Sequence, residues 1–306
     1  MRDFVGYANR PPEVRWPGNA GLAVNFVLNY EEGTEYSIGD GDERSETALI
    51  EVSQPRVPVG DRDLASESMY EYGSRVGFWR LHRMFNQRGL PLTVFASALA
   101  LERNGEVASA IAATDWDIAC HGLRWIEHYR LDEATERRHI AEAYDSVVRT
   151  IGRAPEGWYC RYSRSLSTRR LVVEHGGYSY DSDAYNDEIP YWTRVSGKPH
   201  LVVPYSLVTN DAKFLQGGWV TGRSYGEFLI ESFEVLLAES QVAPRMMSIG
   251  LHPRVVGHPG RASGLAMFLD HVAKAKDAWV ARRAEIAAHW KIASPFDADT
   301  ALEEVL

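Results

Sequence analysis

Gly21-Leu22-Ala23-Val24-Asn25-Phe26-Val27-Leu28 is a short, nearly unbroken apolar run, and it reads as a buried strand. The chain leaves it through a polar cluster, Asn29-Tyr30-Glu31-Glu32-Gly33. Working outward from this strand, the same rhythm repeats. Gly73 to Arg88 carries Val76, Trp79, Leu81 and Phe85 close to helical spacing, and Gly89 and Pro91 end it. Leu92 to Ala96 reads as the next strand, Leu101 to Ala113 as a helix, and Asp115 to Cys120 as a third strand. Asp132 is placed to cap a helix running to Ile151, with Glu133 and Glu136 in its first turn and Gly152 as its stop. Strands follow at 157–160, 178–181, 201–206, 246–251 and 279–281, with helices at 168–175, 225–240, 261–276 and on to Trp290.

About seven strands alternating with helices predict a parallel sheet with crossover helices. A distorted or closed barrel and an open doubly wound sheet both satisfy that pattern. No G-x-G-x-x-G follows the first strand, which argues against dinucleotide binding. No repeat or long linker divides the chain, so residues 1–306 are expected to form one catalytic domain. Glu35 to Ser66 is long, polar and broken by glycine and proline, and it reads as a surface excursion of the kind that covers a site.

Composition narrows the function classes. In 306 residues, 45% are hydrophobic and 25% charged, as in ordinary globular proteins, and the net charge is -9. That balance offers no basic surface for nucleic acid. Two cysteines, Cys120 and Cys160, are too few for a disulfide-dense scaffold. The start of the chain shows no apolar signal core, and no stretch suits a membrane span. The expectation is a cytoplasmic protein with a small-molecule substrate and neither a nucleic-acid nor a membrane partner.

Ligands of parallel α/β folds bind at the carboxyl ends of the strands. Five polar clusters stand there: Asn29 to Gly33, His121-Gly122-Leu123-Arg124-Trp125, Arg161, Asp181-Ser182-Asp183 and His252-Pro253-Arg254. Carboxylates, histidines and arginines meeting at one rim suit acid/base hydrolysis of an amide. Each also has a plainer role. Glu31 and Glu32 could be a solvated strand exit, and His121 a satisfied core histidine. Asp181 and Asp183 could be turn residues, Arg161 half of a structural ion pair, and His252 a strand terminator.

Other motifs compete. Gly222-Arg223-Ser224-Tyr225-Gly226 fits the nucleophile elbow, but the residues before it make a poor strand, and Ser224 reads better as a helix N-cap. Cys120 and His121 are sequence neighbours on a strand and point to opposite faces, so a buried thiol is the stronger reading. Gly39-Asp40-Gly41-Asp42 lacks the spaced ligands of a calcium loop. Trp79, Trp116 and Trp158 read as core.

The clusters resemble the polysaccharide deacetylase (carbohydrate esterase family 4) superfamily from about Asp3 to Trp290. That resemblance implies a distorted (β/α) barrel of about seven parallel strands. It also implies an acidic pair after the first strand, of which Glu31 is the general base and Glu32 a metal ligand. His121 matches the first histidine of an H-x-x-x-H metal motif, but Trp125 stands where the second belongs. Only Glu32 and His121 remain in register for zinc, which usually takes three protein ligands; Glu127 and His128 lie nearby in sequence. The expectation is therefore either no required cofactor or a weakly bound divalent metal.

Phe26 to Gly33, Tyr70 to Arg75, His121 to Trp125, Tyr180 to Asp183, Pro199 to Tyr205 and Gly250 to Arg254 look like the allantoinase-like and cyclic imidase-like branch. Members of that branch tend to form homo-oligomers. Cys160-Arg161-Tyr162-Ser163-Arg164-Ser165 departs from the allantoinase version, which leaves a cyclic imide as good a substrate as allantoin. The expected catalytic set is Glu31 as base, His252 as acid, Arg161 or Arg254 beside a carboxylate, and Asp181 bracing the arginine. Backbone N–H groups near Tyr30 and Glu31, or a weakly held metal on Glu32 and His121, would hold the oxyanion. Tyr30, Tyr72, Trp125 and Arg254 are expected to bind substrate. The competing readings are an N-acetyl sugar deacetylase, a serine esterase acting through Ser224, and a non-catalytic ligand-binding relative.

Overall fold

The first strand explains much of the molecule. The computed structural model describes residues 3–52, 57–298 and 301–303. All nine residues of β1 (Leu22–Tyr30) are buried. Their side chains alternate between faces, as the pleat requires. Leu22, Val24, Phe26, Leu28 and Tyr30 join the large cluster packed under the helices. Asn25, Val27 and Asn29 take the opposite, concave face, and Glu31 continues that face past the strand end.

The remaining strands are β2 (Thr93–Ala96), β3 (Asp117–Cys120), β4 (Gly157–Trp158), β5 (Tyr180–Asp181), β6 (Tyr191–Val195), β7 (Lys198–Val202), β8 (Arg245–Leu251), β9 (Ala278–Val280) and β10 (Leu302–Glu303). The helices are α1 (Leu64–Tyr72), α2 (Phe78–Asn86), α3 (Ala98–Arg103), α4 (Gly105–Ala112), α5 (Glu133–Ile151), α6 (Thr168–His175), α7 (Gly222–Glu239), α8 (Pro259–Val272) and α9 (Arg283–Ala293). One sheet runs in the order β10-β6-β7-β5-β4-β3-β2-β1-β8. The path β8-β1-β2-β3-β4-β5-β7 is parallel throughout, the expected seven. β9 pairs with Leu22 to Val24, the part of β1 that β2 does not reach. β6 and β7 form an antiparallel pair that alternation with helices did not predict. The curled, mostly parallel sheet with its helices is the α/β fold expected from sequence.

Capping chemistry sets several boundaries. Asp132 accepts from the Thr135 N–H and Gly152 ends α5 in the left-handed region, both as expected. Helix α7 starts earlier than expected. Thr221 is its N-cap, and Ser224 is the N3 residue of a capping box, its hydroxyl donating to the Thr221 carbonyl at 2.8 Å. Thus Ser224 serves the helix end, and the elbow reading loses its support.

The helix of residues 64–86 is continuous but contains a π turn, Gly73–Gly77, between α1 and α2. Gly73 and Gly77 let it pass closely over two strand ends. A Cβ at 73 would overlap the Glu32 carboxylate, and one at 77 the Pro253 carbonyl. The concave side of the sheet is filled from below by Arg283, the first residue of α9. Its guanidinium donates to Asn25, Ser248 and Ser182 and to the carbonyls of Val203 and Pro204. Above it Val27, Phe95, Ala119, Tyr159 and Tyr205 form a small apolar floor, and the strand-end residues stand on that floor.

Candidate active site

Glu31, His121, His252 and Arg254 come together, the first three on the concave side by the parity of their strands and Arg254 from the turn after β8. His121 Nε2 lies 3.0 Å from Glu31 Oε1. Arg254 Nη2 donates to Glu31 Oε2 at 2.6 Å, and Nη1 reaches Glu32 Oε1 at 3.4 Å. His252 Nε2 is 3.6 Å from Glu31 Oε1. His121 Nδ1 faces the Tyr159 carbonyl at 3.1 Å, which fixes that nitrogen as a donor.

The electrostatics divide the two glutamates. Burial alone would raise Glu31, but Arg254 and His252 outweigh it and hold the carboxyl well below its ordinary range. Glu32 is raised, by burial and by its charged neighbour Glu31, against the pull of Arg254. His252 shows the opposite balance. Burial disfavours its charge, yet Asp211 and Glu31 push its pKa up to about 9. An ionised carboxylate thus faces an imidazolium.

Asp211 went unnoticed in the sequence. It is fully buried, and it follows Asn210, whose side chain caps a short 3-10 turn, Asp211–Phe214. Its Oδ1 lies 2.6 Å from His252 Nδ1, and its Oδ2 accepts the N–H groups of His252 at 2.7 Å and Val256 at 3.1 Å. Because a carboxylate only accepts, His252 Nδ1 carries a proton and Nε2 is the nitrogen turned toward Glu31. Nothing local marks Asp211, since it lies 41 residues before its partner.

Several expectations need correction. Arg161 does not pair with Glu31. It donates to Glu46 Oε2 at 2.5 Å and to the Trp125 carbonyl at 3.1 Å, with Glu127 3.6 Å away. Arg254 is the arginine beside the base. Asp181 braces neither of them. It takes two bonds from Arg169, at 2.6 and 3.0 Å, and contacts His200 at 2.7 Å. Its strand neighbours Tyr180 and Ser182 face inward, so Asp181 faces the helices. Tyr30 faces them too, packing against Phe78 and bonding Ser74 at 2.8 Å, so it is not positioned to bind substrate. Tyr72 stacks on His258 at 4.0 Å, away from the Glu31 cluster. The Glu31 N–H is already donated to Glu32 Oε2 at 3.1 Å, which removes it as a free oxyanion donor. Trp125 does line the site, with Arg161 3.8 Å and Arg254 5.1 Å from its ring centroid.

The donor set does not fit a divalent metal. Glu32 is engaged by Arg254 and the Glu31 backbone, whereas His121 points at Glu31. Glu127 bonds Tyr36 at 2.5 Å, and His128 turns to Glu136 at 3.0 Å. Among the described residues, no three histidine, cysteine, aspartate or glutamate side chains converge as ligands. The Asp40 and Asp42 carboxylates are taken by Arg103 and Arg124, which disposes of the calcium-loop reading. Cys120 is buried in the core, and burial pushes its thiol up to about 12.

Residues 65–180 match the family profile described as polysaccharide deacetylase. A relative from Schizosaccharomyces pombe named for the same activity is 36% identical over 97% of this chain and 99% of its own. The chain belongs to the polysaccharide deacetylase family. Two crystal structures are close to it throughout. One is a protein of Pseudomonas aeruginosa PAO1 described as a polysaccharide deacetylase, with 46% identity, a TM-score of 0.93, and 97% of this chain and 99% of that one covered. The other is PuuE allantoinase, with 44% identity, a TM-score of 0.92 and the same coverage. A hydrolase of carbon–nitrogen bonds is the class these relatives share, and this chain is one. No helix among the described residues is long and apolar enough to cross a membrane.

Proposed function

We propose that this deacetylase-family member opens a small cyclic amide or imide by general acid/base hydrolysis. The observation that carries this reading is enclosure. Glu31, His121, His252 and Arg254 are 1–4% exposed, beneath a covering segment. A site that closes completely over its chemistry can engulf a small ring, whereas a polymer would have to pass through the cover. The likeness to PuuE allantoinase points the same way.

In this mechanism Glu31 takes a proton from water as the oxygen attacks the ring carbonyl. The imidazolium of His252, held by Asp211, gives its Nε2 proton to the leaving ring nitrogen as the C–N bond breaks. His121 orients Glu31 through Oε1. Arg254 and His252 supply the positive field that stabilises the developing oxyanion. The product is a ring-opened carboxylate. A cytoplasmic homo-oligomer is part of the proposal, and size-exclusion chromatography with light scattering tests the oligomer.

The test is a hydrolysis screen of allantoin, hydantoin, succinimide, glutarimide and N-acetylglucosamine oligomers, with and without zinc and chelator. Ring opening of one of the small amides is expected. The second reading, an N-acetyl sugar deacetylase, is favoured by the family profile and predicts acetate release from the oligomers alone.

A further inference from the structure

The catalytic cluster is closed to solvent by a strap from Glu46 to Glu51. Its attachments include three side chains around the site, Arg161, Tyr70 and Arg254. Glu46 Oε2 accepts from Arg161 Nη1 at 2.5 Å. The Ala48 carbonyl accepts from the Tyr70 hydroxyl at 2.9 Å, and the Leu49 carbonyl from Arg254 Nε at 3.2 Å. Ile50 packs on Tyr70 and Trp125. Glu51 is paired with Arg261 through two bonds, at 2.5 and 2.9 Å. Leu49 adopts φ 51°, a left-handed conformation that a leucine rarely takes, so the closed shape is held by its tethers rather than by backbone preference.

The Glu46 carboxylate bonds the framework through one oxygen only, because the donors to its other oxygen belong to the strap itself. An arginine takes one oxygen, and the Thr47 and Ala48 N–H groups donate to the other at 2.9 and 2.8 Å. Arg161 lies flat on the Trp125 ring, and that ring also neighbours Arg254, so Arg161 adjoins the reacting position. Arg254 is committed to Glu31 and Glu32 on the fixed framework. The main partner of Arg161 belongs instead to the cover, with Glu127 at the longer distance of 3.6 Å.

We infer that the Glu46–Glu51 strap is a gate whose latch, Glu46, occupies a carboxylate seat formed by Arg161 and Trp125, and that a small monocarboxylate displaces it. The identity of the ligand rests on the proposed ring-opening reading, because hydrolysis of a cyclic amide creates one carboxylate. An anionic group needs a cationic partner, and the planar fork of Arg161 suits it. Ligand and latch compete for one guanidinium, so each weakens the other.

The experiment uses succinamate as the monocarboxylate probe and its neutral diamide, succinamide, as the control. Binding is measured by calorimetry on the intact wild-type chain, Glu46→Gln and Arg161→Met. Hydrogen exchange across the strap is followed in the wild type with and without succinamate. Succinamate should bind Glu46→Gln about tenfold more tightly than wild type and Arg161→Met about tenfold more weakly, the effect of one charge-assisted contact. Succinamide should not distinguish the three proteins. Strap amides should exchange faster when succinamate is added. Equal succinamate affinity in all three proteins, or wild-type strap exchange indifferent to succinamate, overturns the gate. The exchange arm needs no variant and decides the matter even if a substitution unfolds the chain. A protein that shows this pattern yet opens no cyclic amide supports the gate and overturns only the ring-opening reading.

Discussion

Replacing Asp211 with Asn should move the alkaline limb of the pH–rate profile. Asp211 is the strongest influence raising His252, whose pKa stands near 9 against an ordinary 6.5. At about pH 8 an acid of pKa 9 is roughly 90% protonated, whereas one of 6.5 is roughly 3% protonated, so the acid-competent fraction falls about thirtyfold. The limb should move from about 9 toward 6.5. Loss of rate should be small at about pH 6, where both forms are largely protonated. A second effect is independent of pH. The carboxylate receives two backbone N–H groups and the ring, and an amide cannot accept from both sides, so a stability loss of about 1–3 kcal/mol is expected. The assay is kcat/KM from about pH 5.5 to 9.5 on variant and wild type, with thermal melts to confirm folding. A folded variant whose alkaline limb stays near 9 refutes the role of the Asp211–His252 pair. The raised pKa also has a stability consequence. His252 binds its proton more tightly when folded, so its contribution is complete below 6.5 and is lost as pH rises through about 9.

Four further expectations follow from the same geometry. Glu31→Gln should lower kcat at least about hundredfold at every pH, and wild-type rates from the folded variant would remove Glu31 as the base. Trp125→His should not create a zinc-dependent enzyme, because Glu32 stays bound to Arg254; zinc titration with calorimetry and turnover checks this, and tight zinc with a faster rate refutes it. Gly73→Ala should cost about 1–3 kcal/mol in urea unfolding, since the new methyl overlaps the Glu32 carboxylate. Asp117 is pushed up to about 6 by burial, so its stabilising proton is present below 3.8 and lost as pH rises through 6. In Asp117→Asn the unfolding free energy should lack that decline, about 2 kcal/mol in wild type between pH 4 and 8, and parallel pH curves for the two proteins would refute the assignment.

The fold was legible because its signals are local. Apolar runs at β1, β2, β3 and β8 and the caps at Asp132 and Gly152 depend on nearby residues. Strand β6 and its antiparallel pairing with β7 were missed because β6 is partly exposed and lacks a continuous apolar run. Within the site, strand parity separates the residues that the structure brings together from those that it turns away. Glu31, His121 and His252 continue the inward positions of β1, β3 and β8. Tyr30 and Asp181 sit one residue out of that phase, and each turns to a helix instead. The alternation that correctly separated Cys120 from His121 applies equally to Tyr30 and Asp181 and would have removed both. No such rule reaches Asp211 or Glu46, whose partners lie 41 and 115 residues away, because long-range pairing leaves no spacing in the sequence.

The tryptophan at 125 and the arginine at 254 form one arrangement. Two adjacent buried glutamates repel each other, and a site that needs one of them ionised must hold a cation beside it. Arg254 meets that need by reaching both carboxylates, and the pair responds asymmetrically, with Glu31 lowered and Glu32 raised. A guanidinium in that place needs a flat, nonpolar neighbour rather than a ligand, and the faces of Trp125 and Tyr70 provide one at 5.1 and 4.4 Å. The charge balance of the site is therefore met without a histidine at position 125. Under the proposed mechanism, acid/base work falls to Glu31 and His252, and the indole serves as a wall for a small ring and for Arg161.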